Sequence, residues 1–159
     1  MDVNAFYALV AATCFTLTGL WWSVVKSRPE WIANAGLRSL AGGVYLSFLL
    51  PGVMSLLAEV GGDSKLIWRV IFVVAAGLGV IFTTRLILKT RHVGKPGFFR
   101  RNLWLVVAVY ILILVVALFQ GTWFVIPDLA PLQSEAFLLC LLILTAHGLT
   151  WEFMTEPKS

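Results

Sequence analysis

Apolar residues run through this chain in five stretches, each about as long as a bilayer is thick, and the charged residues gather between them. A helix needs about 20 mostly apolar residues to cross a membrane. The stretches cover 5–25, 39–58, 66–88, 103–123 and 133–151, and no charged side chain lies near the middle of any of them. The fourth is the cleanest: from Leu103 to Phe119 there is no charge, and the hydroxyl of Tyr110 stands alone. The pattern predicts an all-α integral membrane protein, a five-span transmembrane helix bundle forming one domain over residues 1–159. Residues 5–25 read as a retained span and not as a signal peptide, because no basic segment precedes them and no small-residue cleavage pattern follows.

Composition agrees. The chain is 60% hydrophobic and 13% charged, with a mean hydropathy of +0.92. Soluble domains carry about twice that charge. Tryptophan is an independent marker, since its amphipathic ring favours the headgroup level. Trp21, Trp22, Trp68, Trp104, Trp123 and Trp151 fall near span ends and Trp31 lies in the first loop, so none is in mid-span.

Basic residues in short loops set orientation. Lys26, Arg28 and Arg38 lie between the first two spans, and Arg85, Lys89, Arg91, Lys95, Arg100 and Arg101 run from the end of the third span to the start of the fourth. With Lys158, that side holds ten bases against the three acids Glu30, Glu152 and Glu156. The other side holds Lys65 and Arg69 against Asp2, Glu59, Asp63, Asp128 and Glu135. Both basic loops fall on one side when the chain crosses five times, with the N-terminus outside and the C-terminus cytoplasmic. The expected location is the plasma or inner membrane.

Local punctuation adds detail. Gly61-Gly62-Asp63-Ser64 predicts a tight turn that makes spans two and three an antiparallel hairpin. Ser27-Arg28-Pro29-Glu30 has the form of a capping box and predicts a helix start before the membrane. Residues 31–37 then lie along the inner interface or extend span two. Pro127 and Pro131 predict an irregular outer segment.

In lipid, helices associate through small residues that allow close approach. Ser39, Gly43, Ser47, Pro51 and Ser55 recur every four residues in span two, and Ala75, Gly79 and Thr83 do so in span three. These faces are expected to meet. Two readings stay open: tight packing within the chain, or a subunit interface or narrow polar path. Pro51 removes a backbone donor and is expected to bend its helix, as a structural kink or a gating hinge. Span four has no such ladder and is expected on the lipid-facing outside.

Candidate chemistry is sparse. Cys14 and Cys140 read as small buried hydrophobes, without a CxxC motif. Arg38, Arg69, Arg85 and Glu135 are expected at water-facing span ends, where long side chains snorkel. His147, one turn before Trp151, reads as a hydrogen-bonded interfacial histidine and is the candidate pH sensor. His92 and His147 have no carboxylates near them in sequence, so no metal site is expected. The chain has no paired carboxylates, phosphate loop or nucleophile triad, and no catalytic residue and no cofactor are expected. Lys89, Arg91, Lys95, Arg100 and Arg101, interleaved with Phe98 and Phe99, are the candidates for holding anionic headgroups or a protein partner at the cytoplasmic face. Nucleic acid is not an expected partner. Two functions compete: a homo-oligomeric channel or pore-forming subunit without enzymatic activity, and an accessory anchor that binds a partner protein or anionic lipid through the basic loop.

Overall fold

A computed structural model describes residues 3–61, 64–90, 97–119 and 131–155. Asp2, Gly62, Asp63, Arg91, His92, Lys95, Trp123, Pro127, Asp128 and the tail beyond Thr155 lie outside the described residues. Among the described residues every regular element is helical: α1 (Val3–Lys26), α2 (Pro29–Ala33), α3 (Ala35–Gly61), α4 (Lys65–Thr90), α5 (Phe98–Arg101), α6 (Leu103–Leu118) and α7 (Pro131–Thr155). Four of them, α1, α3, α4 and α7, are long and apolar enough to cross a membrane.

The long helices alternate in direction. Cys14 lies against Gly52 and the Trp21 indole donates to the carbonyl of Ala41, so α1 and α3 are antiparallel. Gly43 meets Leu86 while Gly61 meets Ile67, so α3 and α4 are antiparallel as well. Arg69 reaches Ala117 and Gly79 meets Tyr110, which runs α6 against α4. Tyr7 bonds Leu132 and Trp21 packs on Phe153, so α7 returns parallel to α1. Helix α3 is the hub and packs on α1, α2, α4 and α7.

Burial divides into two stacked clusters. One holds Tyr7, Met54, Trp68, Phe72, Tyr110, Ile113 and Leu139 at the end where α1 begins. The other holds Trp21, Trp31, Leu40, Phe48, Leu103, Leu149 and Phe153 at the end where α1 stops. Around them the surface stays apolar, with Leu9, Val60, Leu66, Leu105 and Leu144 all exposed. That is the reverse of a water-soluble exterior, and lipid is the solvent that tolerates it.

Several local expectations need correcting. The capping box does not form: α2 does begin at Pro29, but no side chain caps it. The Ser27 hydroxyl donates backward to Val24 instead, because a serine at the end of a helix finds the open carbonyl of its own last turn first. The working cap is Asn34, whose Oδ1 accepts from the amides of Gly36 and Leu37 and starts α3. Helix α6 ends at Leu118 and not at 123. Arg69 Nε and Nη2 donate to the carbonyls of Ala117 and Leu118 at 2.9 and 2.8 Å, and so satisfy the open end there. At 16 residues, α6 is about 24 Å long by helix rise. It shows Trp104, Leu105, Ile111 and Leu112 to the outside, and buries Leu103, Val107, Tyr110 and Ile113 against its neighbours. Helix α3 continues through Pro51. Pro131 is the first residue of α7, the helix position where proline costs least. Both cysteines are free, Cys14 buried but Cys140 exposed on α7.

One glycine sets the spacing of α1 and α3. A Cβ on Gly52 would stand 2.9 Å from the Cβ of Cys14, which cannot swing away, whereas Gly77 has nothing within 4 Å. Gly52→Ala should therefore destabilise the protein by about 1–3 kcal/mol, while Gly77→Ala should be neutral or slightly stabilising. Unfolding of both variants in detergent checks this, and equal stabilities would reject the α1–α3 contact.

Candidate functional site

The residues expected to form one surface are distributed over three places. Gly43, Ser47 and Thr83 come together on a cavity of about 110 Å³ between α3, α4, α6 and α7, with Asn102, Tyr110 and Thr145. The Ser47 and Thr145 hydroxyls donate to Val44 and Leu142 of their own helices. Pro51, Ser55, Ala75 and Gly79 are buried in the bundle. Gly79 accommodates the Tyr110 ring of α6, and so does not face α3. Ser39 is half-buried near the start of α3, with its hydroxyl on the carbonyl of Ala35.

The basic segment is tied to α7 by a contact that the sequence does not suggest. The Glu152 carboxylate accepts from the backbone amide of Phe99 at 2.6 Å and from that of Arg100 at 3.2 Å. It thereby caps the short helix α5, whose Gly97 leaves room for it. One turn earlier on α7, Gly148 receives the ring of Phe99. Phe99 is thus half-buried on protein, while Phe98 is exposed. Arg100 is buried beside Glu152, and Lys89 and Arg101 are exposed at the same end. His147 is exposed on α7; its Nδ1 pairs with the carbonyl of Ile143 at 2.8 Å, and its ring packs edge-on to Phe48.

At the opposite end, one residue corrects the sequence reading. Glu135, expected at a water-facing mouth, is fully buried, and neither carboxylate oxygen has a hydrogen-bond partner among the described residues. It sits in the second turn of α7, one turn after Leu132, whose carbonyl accepts from the Tyr7 hydroxyl at 2.8 Å. The Ser55 hydroxyl on α3 is likewise buried and unpartnered. Burial falls hardest on an ionised carboxylate without partners. Position near a span end was no guide to Glu135, because its cover comes from other helices. The remaining signal is spacing: Glu135, Leu139 and Leu142 follow i, i+4, i+7, the buried face of α7. Among the described residues no group of three or more His, Cys, Asp or Glu side chains gathers.

Comparison adds no relative: no family model, curated protein or solved structure matches this chain.

Two outcomes follow from these contacts. Glu135→Gln keeps the shape and removes the ionisable group, so it should unfold in detergent at the wild-type temperature or above it; a drop of several degrees would mean that the carboxylate has a partner. Glu152→Ala removes the carboxylate that caps α5 and should cost about 1 kcal/mol. Hydrogen exchange should then speed up at the amides of Phe99 and Arg100, and unchanged exchange would reject the anchoring contact.

Proposed function

We propose that this chain is the subunit of a homo-oligomeric membrane pore without enzymatic activity, in which copies associate through α1. The observation that carries the reading is a stripe of small residues on the outward face of α1. Ala5, Ala8, Ala12, Thr16, Gly19 and Ser23 recur at three- and four-residue steps along the helix, and all are exposed. A Cβ on Gly19 would meet nothing within 4 Å. Lipid gains little from such a surface, whereas a second helix can approach it closely.

The inside of a single bundle favours a path between copies over a path through one. Both core clusters are closed by large side chains, with Met54, Phe72 and Ile113 buried in one and Leu40, Phe48 and Phe153 in the other. Hydroxyls of Thr13, Thr16 and Ser23 lie on the exposed side of α1. They suit a narrow pore whose lining is polar without being charged.

The alternating directions of α1, α3, α4, α6 and α7 support five crossings. Arg28, Arg38, Lys89 and Arg101 are exposed at one end of the bundle, and Glu59 is exposed at the other. This charge bias supports an outside N-terminus and a cytoplasmic C-terminus in the plasma or inner membrane. The Glu152 anchor favours a second reading, an accessory subunit that presents its basic segment to a partner protein or to anionic headgroups.

The pore reading is tested by particle mass and ion flux. In mild detergent the wild-type particle should have a protein mass of at least twice the 17.6 kDa of one chain, and it should conduct ions in liposomes. Gly19→Leu and Ala12→Leu should weaken association by about 1–3 kcal/mol through overpacking and reduce flux in parallel. A wild-type monomer without flux would reject the pore and leave the accessory role.

A further inference from the structure

At the end where α1 stops, α1, α2 and α3 enclose an open groove of about 250 Å³. Its walls are aromatic. Trp21 and Trp31 stack at 5.9 Å, and Trp22 packs edge-on to Tyr45 at 5.9 Å. The floor is Gly42, where a Cβ would meet nothing within 4 Å, so a chain can lie directly on the α3 backbone. At the rim stands Arg38, exposed, with Nη1 donating to the carbonyl of Ile32 at 3.4 Å. That single bond leaves most of its fork of donors free.

We infer that this groove binds one anionic phospholipid, with its phosphate on Arg38 and an acyl chain along the Trp22–Gly42–Tyr45 wall.

Three observations favour that occupant. Indole and phenol rings are at home at the headgroup level, and this cluster lies at the end of a span. The charge there is positive: Lys26, Arg28 and Arg38 are exposed, and Glu30 is already paired with Arg28 at 3.8 Å. A guanidinium matches a phosphate through paired N–H donors and is the weakly hydrated cation suited to such a place. The groove is apolar below its one cation, which is the order of groups in a lipid and not in a free anion. The site is separate from the basic segment after α4, and it does not depend on whether the protein forms a pore.

The test uses the full chain reconstituted in phosphatidylcholine vesicles, with tryptophan fluorescence as the readout. Brominated phosphatidylglycerol should quench at about fivefold lower mole fraction than brominated phosphatidylcholine, the factor that roughly one surface base supplies. Arg38→Gln should remove that preference, and Arg38→Lys should restore part of it. Gly42→Leu should lower it by filling the floor. Both positions are exposed, so neither substitution disturbs the core. Equal quenching by the two lipids, or a preference that survives either Arg38→Gln or Gly42→Leu, would overturn the inference. So would relief of quenching by excess inorganic phosphate, which would give the site to a free anion. A lower particle mass for Gly42→Leu alone would assign the groove to a second copy and overturn it as well.

Discussion

Apolar side chains cover most of the outside of the long helices, and in the lipid that suits such a surface a polar group must find its partner within the protein. Four cross-helix contacts meet that demand. Tyr7 donates to α7, Trp21 donates to α3, Arg69 closes the end of α6, and Glu152 caps α5. Each links segments far apart in the chain and sits near the end of a helix. The two apolar clusters lie between these polar ties. They supply close packing, and the ties supply register: a helix that slipped by one turn would strand the Tyr7 hydroxyl, the Trp21 indole N–H, the last carbonyls of α6 or the first amides of α5.

The contacts also explain how charge is used. Arg69 and Glu152 have structural work at the ends of helices, where their charges suit the open carbonyls or amides. Arg38 and the exposed bases near it face a groove built of rings, where a lipid phosphate fits. Glu135 belongs to neither group. It is enclosed by helices and carries two oxygens without partners among the described residues. Buried polar groups without partners are rare, and a carboxyl group in that position marks the end of the bundle where α1 begins as chemically distinct from the basic end.

Small residues divide their labour by facing direction. Gly43, Gly52, Gly79 and Gly148 each receive a side chain from a neighbouring helix. They are consumed in holding one bundle together. The small residues of α1 are not consumed: Gly19 and its companions look outward along the whole helix. The four-residue ladder in the second apolar stretch is the more conspicuous pattern in the sequence, yet it is turned largely inward.

Apolar length by itself determined the helical class and the positions of α1, α3, α4 and α7 to within a few residues, because the hydrocarbon thickness imposes one length on every crossing segment. Charge placement determined which ends of those helices carry the basic residues. What the tertiary structure decided was every contact between helices. The length of α6, the partner of Gly79, the burial of Glu135 and the tie from Glu152 all turn on which helix lies next to which. Periodicity tells which residues share a face, but in lipid a leucine is as content against hydrocarbon as against another leucine. The apolar pattern therefore does not say which face turns inward, and that choice was made by steric fit at a few glycines and by polar groups seeking partners across the bundle.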